Sequence, residues 1–477
     1  MNLQSAINLD DMRELARRRL PRIAFDFIDG GVDDELCLRR NREAFAQHRI
    51  VPRYLVDVSV RDQSTTLFGR TYSSPIGIAP TGLAGLFRHG ADLMLAEAAR
   101  DANVPFIMSG SSTGSIEDLG KLAPDHGWYQ LYSAKDPAVS EDLIKRSADA
   151  GLRTLVFTVD VPEGSNRERN TRNGWSRPLK LTWKTKFEAL LHPAWMMQWF
   201  RHGTPYFDNW AKYAGPDATA DKVADLVAYQ NRAPMTWKHV ERFRELWKGN
   251  FVLKGIMHPD DAIRAHALGV DGVMVSNHGA RQLDLAPSPL EVLPAIRDAV
   301  GDKMTVMFDG GIRRGMDAIV ALCMGAKFVF VGRPTLYGVT AGGVAGATKA
   351  LQIFKREIDI TQAQIGAPTI ADLCLVPQVF NAARFKVDMK LNDPRLLDVV
   401  PEPWWTIPDP SNPGTTITPT VTMITLFPSV IVQQQVNSLS TRHIVPRGPG
   451  EFDFVWTHFG FADDTEEMTQ RRLRQAN

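Results

Sequence analysis

The chain has 477 residues, with 55 Lys and Arg against 54 Asp and Glu and a formal net charge of +1 at pH 7. This length fits two to three domains, although one (β/α)₈ barrel can take up about 250 residues. The near-zero net charge argues against a nucleic acid partner, because nucleic-acid-binding proteins are usually strongly basic. The 3 cysteines lie far apart without a CxxC motif, so neither a disulfide framework nor a thiolate metal site is expected.

Membrane insertion and secretion are not indicated by the sequence. No apolar run approaches the 18 residues of a transmembrane helix, and the first twenty residues lack the apolar core of a secretory signal. We therefore expect a cytoplasmic protein.

The first half of the chain predicts helices followed by a barrel. Residues 8–45 have helical spacing, with a Gly-Gly break at 30–31, and from about residue 75 eight short β-rich runs alternate with helical stretches. The runs are 75–80, 105–109, 128–132, 154–160, 251–255, 272–277, 305–311 and 328–333. Eightfold alternation is typical of an α/β TIM barrel. The rival, an open doubly wound sheet, requires GxGxxG after its first strand, which GIAPTGLAG does not match.

A long insertion, residues 161–249, follows the fourth run. Its middle, LTWKTKFEALLHPAWMMQWFRHGTPYFDNW, is rich in Trp, Phe and Met with flanking Lys and Arg. Two interpretations stay open. It is either a partly buried lid or subunit contact, or an anchor at the membrane interface.

The last hundred residues lose the strand–helix rhythm. Segment 390–420 is rich in Pro and predicts an irregular connection, 420–436 and 452–461 predict strands, and 463–477 predicts the start of a charged helix. We therefore divide the chain into a barrel domain, 1–375, and an appended α+β segment, 376–477.

Polar residues and glycines gather at the carboxyl ends of the eight runs. They are Gln130, Tyr132, Thr158, Asp160, Lys254, Ser276, Asn277, His278, Asp309, Gly310, Gly311, Gly332 and Arg333. Any single one would more often be a turn or cap residue. In a barrel, however, these positions converge on one face, so their joint placement predicts a site.

Two loops predict a phosphorylated ligand. DGGIRRG (309–315) and VGRP (331–334) follow the last two runs, where barrels usually bind phosphate. Their glycines allow a close backbone approach, and Arg313 and Arg333 add bidentate donors. The alternative is a pair of tight turns with no ligand.

SNHGARQLD (276–284) predicts acid–base chemistry. On a helical turn His278 and Arg281 would point the same way. His278 is then a candidate general base, Arg281 a candidate carboxylate ligand, and Asp160 a partner that orients the imidazole. A purely structural histidine is the alternative.

These motifs, with LPRIAFDFIDGG (20–31), QLY, TVD and LKG in the same order, resemble the FMN-dependent α-hydroxy acid dehydrogenase/oxidase family over residues 8–375. The resemblance implies FMN as cofactor, a small L-2-hydroxy acid as substrate (lactate- or mandelate-like) and a homotetramer. His278 would take the substrate proton with Asp160 stabilising its charged form. Arg281 and Arg167 would bind the carboxylate, Tyr132 the substrate oxygen, and Lys254 the flavin N1 region.

The resemblance also implies a cofactor-binding set and no metal. The isoalloxazine and ribityl chain would contact Pro80, Thr81, Gly82, Ser109, Gln130, Thr158 and Ser276. The ribityl and phosphate would be held by Asp309, Gly311, Arg313, Gly332 and Arg333.

Phe27 departs from the family pattern, which has a tyrosine that helps to bind the substrate carboxylate. Losing a hydrogen bond to a charged group costs about 1.5–3 kcal/mol, or ten- to a hundredfold in binding. We expect either weakened activity on small hydroxy acids or a preference for a larger, aromatic one.

The insertion, with HPAW and RHGTP, resembles the membrane-associating segment of bacterial mandelate and lactate dehydrogenases. This implies peripheral contact with the inner face of the cell membrane and a quinone as electron acceptor. Two alternatives stay open: an oxidase that reduces O₂ to H₂O₂, and an oxygenase-associated assembly or binding protein with a residual barrel.

Residues 379–477 resemble part of the catalytic domain of Rieske ring-hydroxylating oxygenase α subunits. The CxH…CxxH pair for an iron–sulfur cluster is missing, and His443 and His458 do not match the mononuclear iron ligands. We expect a fragment without an iron site.

Overall fold

The computed structural model describes residues 2–176, 182–230 and 235–374. Beyond residue 374 it describes the short segments 380–381, 407–408, 416–417, 421–426, 430–435, 438–448, 451–459 and 465–468. The chain divides into two compact units, Met1–Arg384 and Phe385–Asn477. The expected domain boundary, near residue 375, falls outside the described residues.

Three helices precede the barrel: α1 (Leu9–Arg19), α2 (Arg22–Asp29) and α3 (Leu36–Ala46). Asn8 begins α1, because its side-chain Oδ1 accepts a hydrogen bond of 2.8 Å from the backbone N–H of Asp11. Pro21 precedes α2, where its missing N–H costs nothing. The predicted helical region at 8–45 is confirmed.

Eight parallel strands close into a barrel, in the order β7-β8-β1-β2-β3-β4-β5-β6. They are β1 (Ile76–Ile78), β2 (Phe106–Met108), β3 (Gly127–Leu131), β4 (Thr154–Thr158), β5 (Asn250–Ile256), β6 (Gly272–Val275), β7 (Thr305–Asp309) and β8 (Phe328–Val331). Each coincides with one predicted run, so the TIM barrel is confirmed. The short apolar runs form buried strands because helices cover them from outside.

The remaining helices of this unit follow in chain order. They are α4 (Ala91–Asp101), α5 (Ile116–Leu122), α6 (Pro137–Asp149), α7 (Glu168–Arg172), α8 (Trp183–Leu190), α9 (Pro193–His202), α10 (Asp208–Ala211), α11 (Ala220–Gln230), α12 (Trp237–Leu246), α13 (Pro259–Ala267), α14 (Pro289–Val300), α15 (Gly315–Cys323) and α16 (Arg333–Ile365). Short strands at His48–Arg49 and Phe380–Asn381 pair with each other. Helix α16 bends where Gly342 and Gly343 leave helical geometry.

Apolar side chains fill the barrel and leave one end open. Trp128, Val156 and Phe330 belong to the cluster inside the strands. A hairpin, Thr65–Leu67 with Arg70–Tyr72, covers the amino ends of the strands, where the ring of Phe68 lies 5.8 Å from that of Trp128. The carboxyl ends of the strands are thus left for the site.

The insertion after β4 carries α7 to α12. Its last helix, α12, packs on the barrel itself, with Phe243 edge-on to Phe157 of β4 at 5.0 Å. Helices α8 and α9 attach through Trp195, whose indole donates to the backbone carbonyl of Leu86 at 2.8 Å. Their outer side exposes Trp183, Phe187 and Phe200, each by about 70%. In residues 2–176, 182–230 and 235–374, no helix has the length and apolar character of a membrane crossing.

The second unit contains a four-stranded antiparallel sheet. Its strands, in sequential order, are β9 (Val421–Leu426), β10 (Val430–Gln435), β11 (Ser438–Gly448) and β12 (Glu451–Phe459). Strands β9, β10 and β12 overlap the predicted strands at 420–436 and 452–461, whereas β11 was not predicted. Most of the expected charged helix at 463–477 lies outside the described residues, as do the side chains on which the Rieske resemblance depends.

Candidate active site

A cavity opens at the carboxyl ends of the barrel strands. Most predicted site residues line it: Phe27, Pro80, Thr81, Gly82, Tyr132, Thr158, Lys254, His278, Arg281, Asp309, Gly311, Arg313, Gly332 and Arg333. A second cleft shares five of these residues and adds Ser109 and Arg167. The structure therefore brings the predicted set together at one end of the barrel.

Three predicted residues act from behind this lining. Gln130 accepts hydrogen bonds at its Oε1 from the hydroxyl of Ser109 at 3.2 Å and the backbone N–H of Gly110 at 3.0 Å. Ser276 lies beneath Lys254, and Asp160 lies beside His278. All three are buried or nearly so, and they orient the residues in front of them.

His278 and Asp160 form the pair that can move a proton. Nδ1 of His278 lies 2.8 Å from Oδ1 of Asp160, which leaves Nε2 as the nitrogen that can accept a proton. Burial lowers the pKa of His278, against an opposing effect of Asp160, so the imidazole is neutral at pH 7. Burial would raise the pKa of Asp160, but His278 and Lys254 lower it, so Asp160 stays ionised.

The loop that carries His278 has an unusual backbone. His278, Gly279 and Ala280 all have positive φ, at 58°, 63° and 61°. For His278 and Ala280 this left-handed conformation is costly and persists only where the surroundings impose it. The hydroxyl of Ser276 helps by accepting the backbone N–H of His278 at 3.1 Å.

Lys254 supplies a buried positive charge. Its Nζ donates to the hydroxyl of Ser276 at 2.9 Å and lies 3.1 Å from Oδ2 of Asp309. Burial opposes the charge, but Asp309 and Asp160 outweigh it and raise the pKa of Lys254. The group is therefore an ammonium at neutral pH and can stabilise negative charge on a ligand above it.

Several buried polar atoms around the cavity have no protein partner within the described part of the chain. They are Nε2 of Gln130, Oγ1 of Thr158 and Oδ1 of Asp309. Buried polar groups are normally hydrogen-bonded, and those that are not need an explanation. The donors and acceptors on a flavin ring edge and ribityl chain match this mixed set, so the residues fit FMN.

The part of the cavity lined by Arg313 and Arg333 suits a phosphate. Burial lowers the pKa of the Arg313 guanidinium to about 10, and neighbouring Arg333 acts in the same direction. A dianion between the two arginines would offset this repulsion. Gly311 has a φ of 80°, and a Cβ there would lie 2.1 Å from the carbonyl oxygen of Asn41, so only glycine fits.

The part of the cavity next to the second cleft joins two arginines to an aromatic wall. Nη1 of Arg281 donates to the carbonyls of Phe27 at 2.8 Å and Gly30 at 3.1 Å, and its guanidinium lies 5.1 Å from the Phe27 ring centre. The ring of Phe27 in turn lies 4.3 Å from that of Trp175. Nη2 of Arg167 donates to Oε1 of Gln282 at 3.3 Å. This arrangement can hold a carboxylate beside an apolar group.

Sequence reasoning missed two of the residues that support the base loop, Asn41 and Asp284. Asn41 of α3 exchanges two amide hydrogen bonds, of 2.9 and 2.8 Å, with Asn277, which the sequence did single out. Asp284 accepts the backbone N–H groups of Leu36 and Cys37 at the start of α3, at 3.2 and 2.9 Å. Asp284 lies within SNHGARQLD and could have been noticed there, whereas nothing in the sequence marks Asn41.

Comparison with protein families shows to which family this chain belongs. Residues 16–377 match the model of the FMN-dependent dehydrogenase family. The chain belongs to the FMN-dependent dehydrogenases. FMN is therefore its cofactor, and its reaction is the oxidation of a 2-hydroxy acid. The family match ends at residue 377, so it gives no support to the resemblance of the tail to Rieske oxygenases.

Individual relatives agree with this assignment. (S)-Mandelate dehydrogenase of Pseudomonas putida is 38% identical over 370 residues, which cover 78% of this chain and 93% of the relative. L-Lactate dehydrogenase of Caulobacter vibrioides is 39% identical over 364 residues, or 76% and 95% of the two chains.

The solved structures give the same result. A crystal structure of (S)-mandelate dehydrogenase, described as a monotopic membrane protein, has a TM-score of 0.75 at 38% identity and covers 78% of this chain and 98% of the other. A mandelate oxidase with (S)-4-hydroxymandelic acid has a TM-score of 0.68 at 34% identity, with coverages of 77% and 97%. The named members of this set thus include a dehydrogenase and an oxidase.

Proposed function

We propose that this enzyme oxidises an L-2-hydroxy acid with an aromatic or bulky apolar side group, of the mandelate type, to the 2-oxo acid. The observation that carries the proposal is the aromatic wall of Phe27 and Trp175 beside Arg281. An aryl group would gain apolar contact and ring stacking there, which offsets the hydrogen bond that a tyrosine at position 27 would give.

His278 is the proposed base. Its neutral Nε2 accepts one proton from the substrate, and the carboxylate of Asp160 at Nδ1 stabilises the imidazolium so formed. Oxidation of the hydroxy acid releases two electrons and two protons, and bound FMN would accept the electron pair together with the second proton. Arg281 and Arg167 hold the substrate carboxylate, and the hydroxyl of Tyr132 holds the substrate oxygen, so the reacting carbon is kept beside His278.

Lys254 has a proposed electrostatic role. It is buried, its pKa is raised, and it lies at the floor of the cavity between Ser276 and Asp309. A fixed positive charge there lowers the free energy of negative charge that develops on the cofactor ring. Gln130 and Thr158 hold the ring edge in register with their unpaired polar atoms.

The electron acceptor is proposed to be a membrane quinone. Support comes from α8 and α9, whose exposed Trp183, Phe187 and Phe200 form an apolar surface flanked by Lys186 and Arg201. Such a surface suits shallow insertion into the headgroup region of a bilayer. Assembly into a homotetramer stays a prediction.

The proposal is tested on the purified, yellow holoenzyme. Under anaerobic conditions, mandelate should bleach the flavin absorbance faster than lactate or glycolate, and a quinone analogue should reoxidise the enzyme faster than O₂. Faster bleaching by glycolate would refute the substrate class. Rapid O₂ consumption with stoichiometric H₂O₂ would establish an oxidase instead. A colourless protein that binds no added FMN would favour a binding module.

A further inference from the structure

The carboxyl end of α2 accepts hydrogen bonds from two arginines of the site. Arg281 donates to the carbonyls of Phe27 and Gly30, and Arg333 donates to those of Ile28 at 2.9 Å and Gly30 at 2.8 Å. The last carbonyls of a helix lack intrahelical partners and carry the negative end of its dipole, so they attract cations. These carbonyls therefore hold both guanidinium groups, and that of Arg333 also donates to the carbonyl of Gly279 at 2.9 Å.

Asp29, between these carbonyls, ties the end of α2 to three other elements. Its Oδ1 accepts from Nε of Arg13 in α1 at 2.6 Å and from the hydroxyl of Tyr337 in α16 at 2.9 Å. Its Oδ2 accepts from Nη2 of Arg13 at 2.8 Å and from Nη1 of Arg169 in α7 at 3.2 Å. Four hydrogen bonds thus converge on one carboxylate whose side chain is 11% exposed.

Two of the three elements lead to the site. Tyr337 follows Arg333 by one helical turn on α16, so both lie on the same face of that helix. Arg169 lies in the first turn of α7, two residues after Arg167, the proposed carboxylate ligand. The third element, α1, is tied to α2 by the two hydrogen bonds from Arg13. Asp29 is therefore placed where Arg281, Arg333 and Arg167 can all be aligned at once.

We propose that Asp29 is a positioning residue that aligns Arg281, Arg333 and Arg167, and so couples binding of the FMN phosphate to binding of the substrate carboxylate. It touches neither ligand. The inference rests on the proposed function for the roles of Arg281 and Arg167, whereas its cofactor half needs only that Arg333 faces FMN.

The chain offers a matched control. Asp26 lies one turn earlier on α2, is similarly buried at 14% exposure of its side chain, and faces Arg169 at 3.8 Å. It also accepts from the amide of Asn173. Within residues 2–176, 182–230 and 235–374, the side chain of Asp26 forms no hydrogen bond or ion pair with Arg13 or Tyr337. Asp26→Asn therefore removes a buried carboxylate from the same helix without freeing its carboxyl end.

The experiment compares wild type, Asp29→Asn, Asp29→Glu and Asp26→Asn as holoenzymes. FMN dissociation is measured by recovery of free-flavin fluorescence, substrate binding by KM and kcat, and folding by thermal unfolding. We expect Asp29→Asn to raise both the FMN dissociation constant and KM by about tenfold or more. The acid limb of the pH profile should stay in place, because His278 and Asp160 are untouched. Asp29→Glu should recover part of the loss.

Several outcomes would overturn the inference. One is a lowered Tm in Asp29→Asn with KM and FMN affinity equal to those of Asp26→Asn, which would make Asp29 a merely structural residue. Another is a change in kcat alone. A wild-type enzyme that no 2-hydroxy acid reduces would instead refute the proposed function, while the FMN measurement would still test the link between Asp29 and Arg333.

Discussion

Replacing Asp160 by Asn tests the proton-transfer pair directly. The change keeps the size of the side chain and removes the charge that faces Nδ1 of His278 at 2.8 Å. A buried hydrogen bond to a charged group contributes about 1.5–3 kcal/mol. That bond strengthens when His278 becomes charged, so its loss is expected to lower the plateau of kcat/KM by about ten- to a hundredfold.

The same substitution has a signed effect on pH dependence. Asp160 raises the pKa of His278, and burial lowers it more strongly. Without the carboxylate only the lowering effects remain, so the pKa of His278 falls further. Because the base works in its neutral form, the acid limb of kcat/KM should move to lower pH in Asp160→Asn while the plateau drops.

The assay is steady-state kinetics with mandelate between pH 4.5 and 9. Asp271→Asn is the matched control, since Asp271 accepts from Arg244 and from the backbone N–H of Phe251 at the opposite end of the barrel. An unchanged plateau, or an acid limb that moves to higher pH, would refute the assignment of the pair. Equal losses in both variants would indicate a general defect in folding.

Three further predictions follow from the site and the surface around it. Phe27→Tyr should raise kcat/KM for lactate and glycolate by about ten- to a hundredfold and change that for mandelate much less; unchanged values for every acid would contradict the role of position 27. Replacing Phe187 and Phe200 by Glu should move activity from the membrane to the supernatant fraction at low salt, whereas Glu43→Gln in α3 should not. A chain ending at Arg384 should keep its flavin and its kcat/KM, because every predicted site residue lies before residue 334; co-purification of non-haem iron with the full chain would contradict the expectation of an inert tail.

Much of the site could be predicted because a barrel places the carboxyl ends of its successive strands in one ring. Once eight runs are recognised, residues at their carboxyl ends, such as Lys254, His278 and Asp309, must meet at one face. The insertion was harder. Its last helix, α12, packs on β4 as an ordinary barrel helix. The contact between Phe243 and Phe157 shows that α12 belongs to the barrel, and the sequence does not reveal this contact.

The residues from the N-terminal helices could not be predicted in the same way. Asn41 lies 236 positions before its partner Asn277, and Asp29 lies 140 and 308 positions before its partners Arg169 and Tyr337. Neither Asn41 nor Asp29 stands at the end of a strand. Their polar side chains fit exposed helix faces equally well in sequence. Only packing of α2 and α3 against the open end of the barrel buries them and assigns them partners.

The amino-acid sequence by itself determined the barrel and, through its motifs, the cofactor class, and it predicted His278 as the base, because strand alternation and short motifs are local properties. The tertiary structure decided how those groups are charged and aimed. Burial lowers the pKa of His278, which keeps its imidazole neutral, and lowers the pKa of Arg313, whose charge an anion would stabilise. The end of α2 holds Arg281 and Arg333. Desolvation and the alignment of distant elements depend on what surrounds a residue, and the order of residues along the chain does not record those surroundings.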